Sequence, residues 1–258
     1  MINAAGFTDI AIGDDATTTF AACSLADAQL SRGYGGTIIL AKGVEVGSYG
    51  DPYGFDSPAD TSLSVTIVNK GAIAGEVRFT GGDDRYEGQA GSVGGRVLGQ
   101  AGDDVLLGGR GADVFDGGEG KDQLAGGAGD DRLHGGLGND VLIGGLGADS
   151  LSGDGGADVF RFAAGDSRGK FTDFINDFSQ RAGDRIALDG VDANAATDAD
   201  DAFTFIGTAA FSGHAGELRF TTAAGQTTIE ADYTGDGRAD FVVRLAGEIA
   251  LVAQDFVL

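Results

Sequence analysis

Between residues 99 and 161 the chain restates one nine-residue phrase without losing phase. The units are GQAGDDVLL, GGRGADVFD, GGEGKDQLA, GGAGDDRLH, GGLGNDVLI, GGLGADSLS and GDGGADVFR. Their shared pattern is glycine, glycine, any, glycine, any, Asp, any, large apolar, any, with Gln100 and Asp154 replacing the second glycine at the two ends. Position six is Asp104, Asp113, Asp122, Asp131, Asp140, Asp149 and Asp158; position eight is Leu106, Phe115, Leu124, Leu133, Leu142, Leu151 and Phe160. One apolar residue in nine gives no helical stripe, and the glycines oppose a helix. Three residues centred on the apolar one form a short strand with that side chain inward. The preceding six form a turn, where glycine supplies backbone angles that other residues resist.

Two strands and two turns close a coil of about eighteen residues, so residues eighteen apart stack at about 4.8 Å. Asp113, Asp131 and Asp149 then share one edge, and Asp104, Asp122, Asp140 and Asp158 share the other. Two unit charges at that spacing repel by roughly 3 kcal/mol at a surface-like dielectric. Summed along both edges, that repulsion would unfold a domain of ordinary stability. A divalent ion between stacked carboxylates turns the repulsion into attraction. A flexible linker with scattered acids is the competing reading, but a linker needs no phase, and this one holds it over seven units.

Charge and ligand chemistry narrow the ion. The chain carries 40 acidic against 17 basic residues, a net charge of −23, which opposes nucleic acid and anionic membranes and favours cations. The repeats hold no Cys and one His. Carboxylates and carbonyls are hard donors in a flexible frame, which suits calcium better than magnesium. Cys23 is the sole cysteine, so no internal disulfide forms. No apolar run reaches the length of a membrane span, and the N-terminus lacks the basic start and apolar stretch of a classical signal peptide.

The nonapeptide resembles the calcium-binding β-roll repeat of RTX proteins. The resemblance implies that an ion takes the carbonyls at positions two and four and the position-six carboxylate of one turn, with further carbonyls and a carboxylate from the turn one coil later. Gly109, Gly111 and Asp113 would thus share an ion with Gly126, Ala128 and Asp131. On the same rule Gly102 with Asp104, Gly118 and Gly120 with Asp122, Gly127 and Gly129 with Asp131, Gly136 and Gly138 with Asp140, and Gly145 and Gly147 with Asp149 are candidate ligands, and Asp158 closes the series. About five inter-coil calcium ions are expected. Upstream, TGGDDRYEG keeps only a glycine-acid core ending in Asp84, and QAGSVGGRV breaks the phase.

Beyond Phe160 the nines stop. FTDFINDFSQRAGDRIALDGVDA alternates apolar and polar residues; DAFTFIGTAAFSGHAGELRF and the segment from GQTTIE to the C-terminus read as hairpins closing an antiparallel cap. FTDFINDF, FIGTAAFSGHAGELRF, DYTGDGRADF and DFVL are similar to the C-terminal domain of serralysin-type secreted proteins, from about residue 79 to 258. That resemblance implies an uncleaved signal for a type I exporter at Asp255, Phe256, Val257 and Leu258, a stretch that also reads as a last strand. In DYTGDGRAD, residues Asp232, Thr234, Asp236 and Asp240 resemble the start of an EF-hand-like loop. Val243 stands where the loop's Glu would be, and an ordinary acidic turn is the other reading.

The expected fold is therefore all-β: a right-handed parallel β-roll over 79–161, irregular β coils continuous with it over 1–78, and an antiparallel β cap over 162–258. Within the first segment SLADAQL reads as a short helix over the open end of the stack. No HExxH or GxSxG motif is present. His134 and His214 are eighty residues apart and read as solvent-facing. The expected protein is a secreted, non-enzymatic calcium binder, folded by extracellular calcium after type I export, with a surface-layer, matrix or adhesion role. Its expected partners are the exporter and either cell-surface polysaccharide or its own copies. The alternatives are the export and stability module of a secreted peptidase or a polysaccharide-active enzyme.

Overall fold

The computed structural model describes residues 64–258 apart from 80, 164, 168–171 and 198–200, and also the backbone of five earlier strands. Strands alternate between two sheets. Sheet I runs through Asp9–Ile12, Ser24–Arg32, Glu45–Tyr49, Val77–Arg78, Val97–Ala101, Val114–Glu119, Arg132–Leu137, Ser150–Gly155 and Asp173–Ile175. Sheet II runs through Thr17–Phe20, Gly36–Leu40, Val65–Asn69, Arg85–Glu87, Val105–Leu107, Gln123–Ala128, Val141–Leu146, Val159–Ala163, Arg185–Gly190 and Phe256–Val257. All these neighbours pair in parallel, so the chain is a parallel β-solenoid.

The register follows the repeat. Phe115 lies beside Leu133 and Leu133 beside Leu151 in sheet I; Leu106, Leu124, Leu142 and Phe160 line up in sheet II. Each of these side chains is at most 1% exposed. Each is worth about 1.5–3 kcal/mol of burial. Upstream, Tyr86 meets Phe115 edge-on at 6.1 Å; downstream, Phe162 meets Phe241 at 5.5 Å, so the core passes unbroken into the cap.

Three elements differ from the sequence expectation. Residues 24–30 are part of the strand Ser24–Arg32, paired in parallel with Asp9–Ile12 and Glu45–Tyr49, not a helix. A seven-residue helix is below the length of about 12–15 residues at which an isolated helix becomes marginal, whereas two neighbouring strands satisfy its backbone. Second, parallel pairing continues past residue 161: Asp173–Ile175 joins Ser150–Gly155, and Arg185–Gly190 joins Val159–Ala163. Antiparallel pairing is confined to Glu217–Ala223, Gln226–Asp232 and Phe241–Ala246. Third, the expected first hairpin is absent, because Thr204–Phe205 pairs with Glu217–Ala223 in parallel after a long crossing loop.

Candidate metal centre

Every position-six Asp turns inward where the glycine turn meets the strand. In each of them except Asp113, one carboxylate oxygen, Oδ1, receives a backbone N–H from the coil before. On one edge Val65 donates to Asp84 (2.6 Å), Asp84 to Asp104 (2.7 Å), Asp104 to Asp122 (2.8 Å), Asp122 to Asp140 (2.8 Å), Asp140 to Asp158 (2.9 Å) and Asp158 to Asp184 (3.1 Å). On the other edge Asp113 donates to Asp131 (2.7 Å), Asp131 to Asp149 (2.8 Å) and Asp149 to Asp173 (2.9 Å). The N–H of Asp173 ends that series on the hydroxyl of Ser167, at 2.9 Å. The two stacks inferred from spacing are thus continuous hydrogen-bonded ladders.

The second oxygen has a different environment. Oδ2 of Asp84, Asp104, Asp122, Asp131, Asp140, Asp149 and Asp173 is buried without a hydrogen-bond partner. In Asp104, Asp122, Asp131, Asp140 and Asp149 it nestles against the first glycine of its own repeat: a Cβ on Gly126 would stand 2.1 Å from Oδ2 of Asp131, and one on Gly135 would stand 2.4 Å from that of Asp140. The glycine at position four admits the coil before it. Gly138 has φ +139°, and a Cβ there would lie 1.5 Å from the carbonyl oxygen of Gly120. Such carbonyls face the neighbouring coil, and no backbone hydrogen bond reaches those of Gly120, Gly129 and Gly138 among the described residues.

Burial is the chief electrostatic effect. It pushes the carboxyls of Asp84, Asp122, Asp131 and Asp158 up to about 7 and those of Asp104 and Asp173 to about 8. The N–H donors pull the other way, and neighbouring aspartates add to the rise. Asp113, Asp140, Asp149, Asp166 and Asp184 are raised for the same first reason.

These residues fit a hard divalent cation. A buried carboxylate oxygen left unpaired costs about 1–3 kcal/mol or more, and seven such oxygens lie along the two ladders. Among the described residues no three His, Cys, Asp or Glu side chains converge on one point. An ion would therefore take part of its shell from backbone carbonyls, as glycine turns allow. The donor set is all oxygen, which suits a hard cation.

One turn departs from the others. Gly109 and Gly111 lack the positive φ found at Gly118, Gly120, Gly127, Gly129, Gly136, Gly138, Gly145 and Gly147. The N–H of Gly109 instead closes on Oδ2 of Asp113 at 2.9 Å. The coil before it is out of phase: Gly95 precedes the sheet I strand where an aspartate would stand, and its N–H goes to the carbonyl of Gly75. The Asp131 half of the expected first ion site has the common geometry; the Asp113 half does not.

Several residues escaped the sequence pattern. Asp173 and Asp184 extend the ladders after coils lengthened to 24 and 26 residues. Their signal is local: each stands two residues before a buried Ile, at Ile175 and Ile186, as the repeat aspartates precede Leu or Phe. Asp166 is also buried, with Oδ2 accepting the N–H of Ala163 at 2.7 Å. On the rim, Asp83, Asp103, Asp130 and Asn139 at position five accept the position-five N–H of the following coil.

The 232–240 loop is built otherwise. Asp232 accepts N–H groups from Gly235 (2.6 Å) and Gly237 (2.8 Å), Asp236 from Arg238 (2.9 Å), and Asp240 from Tyr233 (3.1 Å) and Thr234 (3.0 Å). His134 is exposed beside Asp154 at 3.3 Å. His214 is exposed against the Ser212 hydroxyl at 2.7 Å, and that hydroxyl donates to Glu217 at 2.6 Å. Serine sits between His and acid there, so the group is not a relay in which His activates serine. At the C-terminus Asp255 and Phe256 are buried, and Asp255 accepts the Gln180 amide at 2.7 Å.

A solenoid whose coils are tied along both edges through buried aspartates is the class that fold and site define. Residues 51–258 match the Peptidase M10 serralysin C-terminal family, and the chain belongs to it. Metallopeptidase AprA of Pseudomonas marginalis is 37% identical over 91 residues, which are 34% of this chain and 17% of that protein. Among solved structures, the AlgE6R3 subunit of the Azotobacter vinelandii mannuronan C5-epimerase is 30% identical at a TM-score of 0.43, covering 59% of this chain and 81% of that one. The AlgE6R2 subunit of the same enzyme is 28% identical at a TM-score of 0.30, covering 62% and 88%. Among the described residues no helix is long and apolar enough to cross a membrane.

Proposed function

We propose that this chain is a secreted, non-enzymatic calcium-binding protein whose folding is switched on by extracellular calcium. The observation that carries the reading is the set of seven buried Oδ2 atoms without partners, in register along two ladders. Calcium supplies the positive charge those oxygens lack. The chain's own part is to hold the carboxylates in register through the N–H ladder, to bare the turn carbonyls through glycine, and to exclude water behind the position-eight apolar stack. Binding only the folded form stabilises it by about 2.7 kcal/mol per site when calcium is a hundredfold above Kd. In a calcium-poor cytosol the stacked acids keep the chain open and fit for type I export. Asp255 to Leu258 serve as the export signal while the chain is unfolded and as a terminal strand afterwards.

Circular dichroism against calcium tests this. Strand signal is expected to grow steeply near millimolar calcium and vanish with chelator; equal structure in both conditions ends the proposal. A second reading is favoured by the family's tie to peptidases and by the short span matched on the AprA relative. In it the same roll is the export and stability module of a larger secreted peptidase or polysaccharide-active enzyme. Turnover assays of the secreted native protein on peptide and uronate polymers separate the two.

A further inference from the structure

The turn at 108–113 falls where the spacing places the first ion of the sheet I edge, and it is built unlike the others. In every other repeat the glycine at position four (Gly102, Gly120, Gly129, Gly138, Gly147 and Gly156) has a positive φ and abuts the coil before it. A Cβ on these would stand between 1.5 Å and 2.6 Å from that backbone. Gly111 has neither the φ nor the neighbour: nothing lies within 4 Å of a Cβ there, and residues 110–112 are exposed. Its aspartate differs as well. From Asp104 to Asp149, every repeat aspartate but Asp113 buries an Oδ2 that no hydrogen bond reaches. Asp113 has turned that oxygen to its own loop, where it accepts the N–H of Gly109 at 2.9 Å. No ladder donor arrives from below, because Gly95, opposite Asp113 by register, sends its N–H to the Gly75 carbonyl at 2.9 Å.

An ion held between two stacked turns needs a carboxylate oxygen free to bind it and carbonyls aimed across the gap. The dihedral angles of the turn glycines set that aim, and positive φ is open to glycine at little steric cost. The turn at 126–131 meets both conditions, with Gly127 at φ +102°, Gly129 at φ +126° and Oδ2 of Asp131 without a partner. The turn at 108–113 meets neither. We infer that Asp113 closes its own turn and is not an ion ligand, so that the sheet I edge takes its first cation between Asp131 and Asp149, one coil later than the spacing predicts. Asp113 stays tied to the ladder through its N–H, which donates to Asp131 at 2.7 Å. It thus begins that ladder without metal, where the regular coils meet the out-of-phase one. The sheet II edge has no such break there: Asp104 accepts from Asp84 and donates to Asp122. The two edges of the roll are therefore loaded unequally. This inference rests on the calcium reading above.

Equilibrium dialysis of the full chain against millimolar calcium counts the bound ions, and a calcium titration followed by circular dichroism gives the midpoint of folding. Asp113→Asn is expected to leave the count unchanged, whereas Asp131→Asn lowers it. Gly111→Ala is expected to keep both count and midpoint, because its Cβ meets nothing and its φ suits any residue. Gly129→Ala, eighteen residues on, is expected to raise the midpoint about two- to threefold, as a strain of about 3 kcal/mol shared over about five ions requires. Should Asp113→Asn not fold, Gly111→Ala still decides, since it changes an exposed turn. An ion lost from Asp113→Asn, or a midpoint raised by Gly111→Ala, shows that calcium draws this turn into the common form and overturns the inference. Either result leaves the calcium reading standing; a wild-type chain that takes up no calcium overturns both.

Discussion

Two acidic regions of this molecule look alike in composition and differ in structure. In the 232–240 loop the carboxylates meet N–H groups of the loop itself: both oxygens of Asp232 are used, and one oxygen of Asp240 collects two backbone donors and the Thr234 hydroxyl. In seven of the ladder aspartates one oxygen is used and the other is buried with nothing to bind. A density of acids therefore does not make a cation site. What distinguishes the ladders is an acceptor withdrawn from water and left unsatisfied, in register with others like it.

The largest effect that should sharpen this contrast comes from Gly138→Ala. Its Cβ would overlap the Gly120 carbonyl at a positive φ, so a loss of about 3 kcal/mol or more is expected in calcium melts. The matching change at Gly237, which also has positive φ but an open surrounding, is expected to cost only about 1–2 kcal/mol. Asp131→Asn comes next. It keeps an acceptor for the Asp113 N–H and loses the charge, so about 1–3 kcal/mol and a higher calcium midpoint are expected, read by calcium titration; an unshifted midpoint would break the contrast.

Acidity gives a third, smaller effect. Ladder carboxyls titrate at up to about 8 when folded, against an ordinary 3.8. The folded chain therefore holds more protons than the unfolded chain between those values, and stability in chelator should rise as pH falls through that window. Urea melts in chelator at several pH values check the sign; stability that falls on acidification contradicts the burial argument. Asp240→Asn is expected to have the smallest effect, about 1 kcal/mol in thermal melts, with the calcium midpoint unmoved. A shifted midpoint would make the loop a cation site after all.

The sequence made the fold and the ladders legible wherever the chain kept strict phase. Asp104 to Asp158 were readable because one residue type recurred at a fixed distance before a buried Leu or Phe. Asp173 and Asp184 were not, since longer coils shift the count while leaving the stack intact. The turn at Gly109 and Gly111 matched the pattern yet took another conformation: the N–H of Gly95 goes to the Gly75 carbonyl rather than to Asp113, and Asp113 takes the N–H of Gly109. The strand at residues 24–32 was misread as a helix because local composition says little about which neighbours will pair with a segment. Which oxygen of each Asp stays unsatisfied is a property of side-chain direction, and no periodicity encodes it.

The alternation of strands between two sheets also makes the molecule intolerant of one kind of length change. Loss or gain of a full eighteen-residue coil would shorten or lengthen the rod and leave its two sides as they were. Loss of a single nine-residue unit would exchange the sides beyond the lesion, carrying the exposed Arg132 and His134 round to join Val105 and Leu107. Every later carboxylate would still find a rung, so such a chain would fold with its surface crossed halfway along its length.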